Sequence, residues 1–151
     1  MRVKLAVPSV AEMEALGARL ARGIDKIHLL YLHGALGTGK TTLVRGILRA
    51  LGHVGLVKSP TFTLVEPYSF DGLIVYHIDL YRVSDPEELE FLGFRDYLES
   101  ESVCLVEWAE RGVEKLPSPD LDVTIQNVDD TRTVELESYS DRGTELLSGL
   151  T

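Results

Sequence analysis

The sequence predicts a single α/β domain of three layers, in which helices cover both faces of a mixed, mostly parallel central β-sheet with β-hairpins. Residues 26–33 and 103–106 are largely apolar, which is typical of strands buried on both faces of a parallel sheet. Helical patterns alternate with these strands. The 151 residues suffice for one core but not for two of ordinary size. We therefore expect one domain over residues 1–151, with about the last ten residues peripheral.

The first half of the chain reads as helix, strand, turn and helix. Residues 9–12 form a capping box, and the apolar spacing behind it predicts a helix over residues 10–22. The apolar strand at residues 26–33 leads into a glycine-rich turn at residues 34–39. Apolar residues on one helical face then predict a second helix, with Gly52 as its C-cap.

The second half adds hairpins and short helices. Residues 61–68 and 73–80 read as two strands joined through Asp71 and Gly72. A cap followed by proline and acidic residues opens a helix at Ser84, which Gly93 divides from a second short one. The buried strand at residues 103–106 precedes a second hairpin, formed by residues 121–128 and 131–139.

Composition excludes several classes of protein. No apolar run approaches the ~18 residues of a membrane-spanning helix, and the first four residues are not followed by the apolar core of a signal peptide. We therefore expect a cytoplasmic protein with no membrane contact. The single cysteine, Cys104, excludes an internal disulfide and a cysteine-cluster zinc site.

The net charge of −9 is unevenly distributed. Residues 1–75 hold nine basic and five acidic side chains, whereas residues 76–151 hold six basic and nineteen acidic ones. An acidic domain is a poor direct binder of nucleic acid, because that affinity depends on neutralising phosphates. The acidic half is either a solvated face or a docking surface for a basic protein, and the basic half is suited to a small anion.

Residues 34–41, with the sequence GALGTGKT, match the phosphate-binding pattern G-x-x-x-x-G-K-[ST] between a buried strand and a helix. Glycines let successive backbone N–H groups approach a phosphate, and the helix adds its positive end. Lys40 is expected to reach the β- and γ-phosphates, and Thr41 to offer its hydroxyl to Mg²⁺. The pattern predicts a nucleoside triphosphate site in a P-loop NTPase-like fold. The residues expected to contact the nucleotide here are Gly34, Gly37, Thr38, Gly39, Lys40, Thr41 and Thr42.

A P-loop enzyme also needs an acid at a strand end to hold Mg²⁺ or its water, and two candidates are present. Asp79 ends an alternating segment that places it on the same face as His77. Glu107 ends a purely apolar strand, at the edge where ligands bind in α/β sheets. The sequence leaves open which acid ligates Mg²⁺ and which orients water, and either acid alternatively forms a surface ion pair.

Residues 59–63, SPTFT, follow the predicted second helix, and hydroxyls around a rigid proline are typical of a switch segment that senses a γ-phosphate. The alternative is a strand entry in which threonine is present for its β propensity. Trp108 either covers the site or packs on the core. A charge-stabilising arginine has three unranked candidates, Arg82, Arg95 and Arg132.

Four segments together resemble the TsaE family, the small bacterial P-loop ATPases of tRNA threonylcarbamoyladenosine biosynthesis. They are residues 34–42 (GALGTGKTT), 59–68 (SPTFTLVEPY), 77–82 (HIDLYR) and 105–110 (LVEWAE). The phosphate loop is shared by many families, whereas SPTFT, H-x-DLYR and the Glu-Trp pair in this order are specific. The resemblance extends over about residues 5–140.

The resemblance implies ATP and Mg²⁺ as cofactors and weak ATP hydrolysis by the protein alone. It implies two partners, a threonylcarbamoyl transferase subunit and its paralogous scaffold subunit, which modify adenosine 37 of ANN-decoding tRNAs. Contact with tRNA would then be indirect, through these partners. Hydrolysis would reset the complex between turnovers rather than transfer phosphate to the substrate.

Carried over by position, the resemblance assigns Lys40 to the phosphates and Thr41 to Mg²⁺. Glu107 matches a metal-site acid of the family, Asp79 the acid of its H-x-D motif, and Thr61 its switch-like threonine.

Two further residues, Ser9 and Arg132, stand where the family places nucleotide contacts near the base. One position departs from the family pattern, because Ala35 stands where many members have an acidic residue. Binding through backbone N–H groups does not need that acid, but its role in partner contact or turnover is open.

Two other functions fit the same loop. A small-molecule P-loop kinase would need an acceptor pocket, for which only residues 84–100 are available, and no arginine-rich lid is present. A nucleotide-dependent binding module without turnover would not need two acids near the phosphates.

Overall fold

Among the residues that the structure describes, seven strands form one β-sheet. The computed structural model describes residues 1–35, 37–91, 93–112 and 116–150, so Leu36 of the predicted phosphate loop lies outside the described residues. The strands are β1 (Arg2–Val7), β2 (Leu29–His33), β3 (Val65–Phe70), β4 (Leu73–Asp79), β5 (Val103–Glu107), β6 (Leu121–Val128) and β7 (Thr131–Ser138). Their order across the sheet is β1-β7-β6-β2-β5-β4-β3.

The middle of the sheet is parallel and its two sides are antiparallel. β2 pairs in parallel with β5 and with β6, and β5 pairs in parallel with β4. The hairpins β3–β4 and β6–β7 are antiparallel, as is the pairing of β1 with β7. The predicted mixed sheet with a parallel centre and two hairpins is confirmed.

Helices cover both faces of this sheet, so the predicted three-layer architecture is also confirmed. They are α1 (Val10–Ala21), α2 (Lys40–Ala50), α3 (Glu88–Phe91), α4 (Phe94–Glu99) and α5 (Asp141–Ser148), with 3₁₀ turns at Ile24–Lys26 and Ala109–Gly112. α1, α2 and α5 share one core through Met13, Ile47 and Leu147. α3 and α4 contribute Leu89 and Phe94 to a second hydrophobic core. No helix in the described ranges is long and apolar enough to cross a membrane.

The helix that follows the glycine-rich turn, α2, is seated directly on α1. A Cβ atom on Gly17 would collide with the backbone of α2, and one on Gly46 would collide with the backbone of α1. Glu14 of α1 also pairs with Arg45 of α2 at 3.2 Å. This close contact fixes the position of α2 and of Lys40, its first residue.

The sequence pattern does not predict two terminal elements. β1 pairs with β7 along its whole length, and that pairing depends on residues more than a hundred positions away. α5 begins after the cap Ser140 and buries Leu146 and Leu147, so residues expected to be peripheral contribute to the core. A helix of eight residues gains its stability mainly from packing, which local sequence does not reveal.

The strand expected over residues 61–68 begins only at Val65. Leu64 has a left-handed φ of 69° and its N–H donates to the carbonyl of Pro60 at 2.8 Å, which makes residues 60–64 a turn. The N–H of Asp79 donates to the carbonyl of Leu64 at 2.9 Å. The turn therefore lies against the end of β4, which brings Thr61 to Asp79.

The strands at the two edges of the sheet both carry features that oppose pairing with another chain. β1 exposes the charged side chains of Arg2 and Lys4. β3 contains Pro67, which has no N–H to donate to a neighbouring strand.

Candidate nucleotide site

A cavity of about 240 Å³ gathers most of the predicted site residues. It adjoins the end of β4 and β5, the start of α2 and the 60–64 turn. Its lining residues are Val10, Gly37, Gly39, Lys40, Thr41, Thr42, Ser59, Thr61, Asp79, Glu107, Trp108 and Arg132. The parallel register places Asp79 directly opposite Glu107, which explains why acids 28 positions apart in the chain meet here.

Lys40 is buried beside this cavity without a hydrogen-bond partner among the described residues. Its side chain is 5% exposed, and Nζ lies 3.6 Å from Oε1 of Glu107. The same Nζ lies 4.2 Å from the ring centroid of Trp108. Trp108 lines the cavity and also packs against the core beneath α3 and α4, so both alternatives for this residue hold. A buried ammonium is costly unless it is compensated, and an anion in the cavity would supply that compensation.

Glu107 is held from the opposite side by His77. His77 Nε2 donates to Glu107 Oε2 at 2.6 Å, and neither residue is more than 5% exposed. Nδ1 of His77 is buried without a partner in the described part of the chain. Oε1 of Glu107 is thus the oxygen on the Lys40 side.

Asp79 is joined to the predicted switch segment. Its Oδ1 accepts from the N–H of Tyr81 at 2.9 Å, and Oδ2 accepts from the hydroxyl of Thr61 at 3.4 Å. The Thr61 hydroxyl is also 2.8 Å from that of Ser59. Burial raises the pKa of the Asp79 carboxyl, the Tyr81 N–H opposes this rise, and the charge of Glu107 adds to it.

Arg132 is the arginine among the three candidates that lines the cavity. Its Nη2 donates to the carbonyl of Gly37 at 3.4 Å, and its Nε is buried without a partner among the described residues. Arg82 lies over the ring of Phe62 at 4.2 Å, and Arg95 pairs with Glu90 in an exposed position. Arg132 also borders a second cavity, of about 500 Å³, together with Pro8 and Asp130.

Three predicted residues do not line the nucleotide cavity. Ser9 is the N-cap of α1, and its hydroxyl accepts from the N–H of Glu12 at 3.1 Å. Gly34 and Thr38 border a different cavity at the end of β6, and the Thr38 hydroxyl donates to the carbonyl of Ala35 at 2.8 Å.

Sequence reasoning missed one lining residue, Val10, at the start of α1. Its place beside the cavity follows from the seating of α1 on α2, which the local sequence around Val10 does not specify.

A second, mostly apolar recess lies away from these residues. It has a volume of about 340 Å³ and is lined by Tyr31, His33, Ala109, Glu110, Leu116, Pro117, Ser118, Pro119 and Asp122. None of its lining atoms is a buried polar atom that lacks a partner in the described ranges. The nucleotide cavity has such atoms, and we therefore regard the smaller cavity as the functional one.

The donor set fits a magnesium–nucleotide complex. Gly39, at a left-handed φ of 114°, is the N-cap of α2, the helix whose first backbone N–H groups and Lys40 are suited to phosphates. The described residues contain no cluster of three His, Cys, Asp or Glu that would enclose a metal. Mg²⁺ keeps several waters and binds through one or two carboxylates plus phosphates, and the Thr41 hydroxyl with Asp79 or Glu107 meets that need.

The family model and the sequence relatives that match this chain name the same family. A model of the family described as "Threonylcarbamoyl adenosine biosynthesis protein TsaE" matches residues 7–134. A TsaE protein of Haemophilus influenzae is 47% identical over 147 residues, which are 94% of this chain and 93% of that protein. One of Bacillus subtilis is 41% identical over 115 residues, which are 76% of this chain and 72% of that protein.

A solved structure agrees with these sequence relatives. The crystal structure of YdiB from Bacillus subtilis has a TM-score of 0.83 and 32% identity, covering 99% of this chain and 94% of that chain. Residues from the end of the predicted phosphate loop, from the SPTFT segment and from the Glu-Trp pair, together with Asp79, line one cavity of this fold. The chain belongs to the TsaE family of threonylcarbamoyl adenosine biosynthesis proteins.

Proposed function

We propose that this chain is a Mg²⁺-dependent cytoplasmic ATPase required for threonylcarbamoylation of adenosine 37 in ANN-decoding tRNAs. The observation that carries the ATPase is the buried, unpartnered Nζ of Lys40 at the start of α2, next to two strand-end carboxylates. The pathway is supported by membership of the TsaE family. The paired acids favour turnover over binding alone, because a bound nucleotide does not need a group that orients water.

In this proposal each residue has a separate task. Lys40 and the first N–H groups of α2 bind the β- and γ-phosphates, and Thr41 with Glu107 or Asp79 holds Mg²⁺. Bound Mg²⁺ supplies positive charge that stabilises the phosphoryl group and the leaving oxygen. The acid that does not ligate the metal orients the attacking water, and Thr61 senses the γ-phosphate through its bond to Asp79. Arg132 reaches the nucleotide from the side of β7.

Nucleotide binding rearranges the Lys40 environment in this proposal. Lys40 Nζ moves from Glu107 and the Trp108 ring towards the phosphates, because a phosphate offers the hydrogen bonds that it lacks. Trp108 is the single tryptophan of the chain, so its fluorescence reports this step. We expect ATP to change the emission of the wild type and not that of a Lys40→Ala variant.

The proposed partners are a threonylcarbamoyl transferase subunit and its paralogous scaffold subunit. The acidic second half of the chain disfavours direct binding of tRNA, so the RNA is held by the partners. The kinase alternative places its acceptor pocket around residues 84–100. None of the residues described as lining the nucleotide cavity comes from that stretch, which favours the ATPase.

The deciding experiment measures phosphate release from ATP with Mg²⁺, first by the protein alone and then with the transferase–scaffold pair and tRNA. We expect weak activity that rises when the partners are added, and no activity from Lys40→Ala in either condition. Activity that ignores the partners but requires a small acceptor molecule would replace this proposal with the kinase. A tight, salt-sensitive complex of the isolated chain with tRNA would contradict indirect recognition.

A further inference from the structure

His77 occupies an unusual position for a histidine, in the interior of the sheet. It is 0% exposed in β4, where its position pairs with Leu105 of β5 on one side and with Glu66 of β3 on the other. Its Nε2 lies 2.6 Å from Oε2 of Glu107, while its Nδ1 has no partner among the described residues. An apolar residue would fill this space without leaving a polar atom unpaired, so packing alone does not explain a histidine here.

The hydrogen bond separates the two oxygens of Glu107 by function. Alternate residues of neighbouring strands share a face of the sheet, which puts the side chains of His77 and Glu107 on the side of Lys40. Oε2 is taken by His77, and Oε1 is directed to Lys40 at 3.6 Å. Without this bond, no described side chain would donate a hydrogen bond to the buried Glu107 carboxylate.

We propose that His77 is a positioning residue, whose Nε2–H holds Glu107 Oε2 so that Oε1 faces the phosphate and Mg²⁺ side of the cavity. Groups that orient a ligating side chain typically change metal affinity by 10–100-fold when they are removed. The inference rests on the proposed ATPase for its metal, but the hydrogen bond itself exists without any ligand.

Two substitutions separate positioning from packing. His77→Gln keeps an amide N–H at about the same reach as Nε2, whereas His77→Leu fills similar volume without a donor. Val75→Ala is the matched control, because Val75 is a fully buried residue of the same strand and face whose register partner on β5 is Val103, four positions before Glu107. Thermal melts establish that each variant is folded before it is compared.

The first measurement is the concentration of Mg²⁺ that gives half-maximal binding of ATP, with the fluorescence of Trp108 as the signal. We expect His77→Leu to need about ten-fold more Mg²⁺ and His77→Gln to recover most of that loss. ATP affinity in EDTA should stay within about two-fold of the wild-type value in every variant. In Val75→Ala, the half-maximal Mg²⁺ concentration should also stay within about two-fold of the wild-type value. Equal shifts for Leu and Gln, or no shift in folded His77→Leu, would overturn the positioning role.

The second measurement needs no nucleotide and keeps the inference separate from the proposed function. Imidazole nitrogen NMR of the wild type should place the ring hydrogen of His77 on Nε2, with a signal that moves in Glu107→Gln. A ring hydrogen on Nδ1 overturns the inference whatever the protein does with ATP. If this signature is present while the wild type binds no Mg²⁺–ATP, the ATPase proposal fails and the positioning of Glu107 for that metal fails with it.

Discussion

Two histidine–carboxylate pairs each join two neighbouring parallel strands, β4 and β5 for one pair and β2 and β6 for the other. The two pairs differ in their burial and in the polar atoms around them. The pair His77–Glu107 is buried, with Nε2 and Oε2 2.6 Å apart. The pair His33–Asp122 has a similar distance of 2.8 Å, but the side chain of His33 is 30% exposed. Nδ1 of His33 also lies 3.8 Å from Glu110, so both of its ring nitrogens face carboxylates.

The difference shows which pair is arranged for a ligand. Around His33 the polar atoms are paired or reach solvent. Around His77, two buried nitrogens, Lys40 Nζ and His77 Nδ1, have no partner among the described residues. Unpaired buried polar atoms are costly, and they persist where a function requires them. The same chemical pair therefore stands beside satisfied polar atoms at one site and beside unpaired buried nitrogens at the other, where an anion would supply the missing partners.

The largest effect that tests this comparison is expected from Lys40→Ala. Removing the buried ammonium deletes the charge that compensates the phosphates, so ATP affinity should fall more than ~100-fold, equivalent to about 3 kcal/mol. Titration calorimetry measures the affinity, and circular dichroism checks the fold. The control is Lys26→Ala, an exposed lysine paired with Glu145, which should bind ATP as the wild type does. Equal affinity in the two variants would refute the phosphate role of Lys40.

The next effect compares two acids, one from each pair region. Glu107→Gln should lower turnover of ATP about 100-fold while changing ATP affinity less than about ten-fold, because its carboxylate acts on metal or water. Glu110→Gln, near His33 and 56% exposed at the side chain, should leave both values near those of the wild type. Steady-state phosphate release and calorimetry give the two numbers. Equal losses of affinity and turnover in Glu107→Gln would count against a distinct role in turnover.

A smaller effect is expected from removing the hydroxyl of Ser9, which already accepts a hydrogen bond from a backbone N–H. Ser9→Ala should cost about 1 kcal/mol of unfolding free energy, because the N–H of Glu12 loses its cap. ATP affinity should change less than about three-fold, since Ser9 does not line the cavity. Ser140→Ala removes the cap of α5, which does not line the cavity, and should destabilise by more, because the Ser140 hydroxyl also donates to Asp120 at 2.7 Å. A larger loss of ATP affinity in Ser9→Ala alone would assign Ser9 to the nucleotide.

The smallest effect concerns the solvated pair. The hydrogen bond to Asp122 raises the pKa of His33, and burial partly opposes this rise. Because the folded-state pKa lies above the unfolded value of about 6.5, the pair stabilises fully below that pH and loses its contribution as pH rises through the folded-state pKa. Asp122→Asn should lower the pKa of His33 and cost about 0.5 kcal/mol at pH 6, but less at pH 9. NMR titration and urea unfolding measure these values, and an equal cost at both pH values would contradict the assignment.

The sequence predicts the elements of this molecule that are specified by residues close together in the chain. The phosphate loop, α1, α2, both hairpins and the two acids follow from short patterns, because each is specified within a few residues. The contact of His77 with Glu107, across 30 positions, depends on strand pairing and is not readable from either segment. The same holds for β1, whose partner is the C-terminal hairpin. The predicted strand at residues 61–68 was wrong only for its first four residues, where the turn at residues 60–64 is held by the tertiary bond from Asp79 and threonine's β propensity does not decide.

The two protected edges of the sheet have a consequence for how other proteins attach to this one. A partner cannot extend the sheet by continuous main-chain pairing along β3, because Pro67 interrupts the row of donors. Along β1, the exposed Arg2 and Lys4 oppose the approach of a cationic strand. A protein that binds at the β3 edge would therefore have to use side chains and loops, and both edges disfavour the fibrillar self-assembly to which open edges are prone.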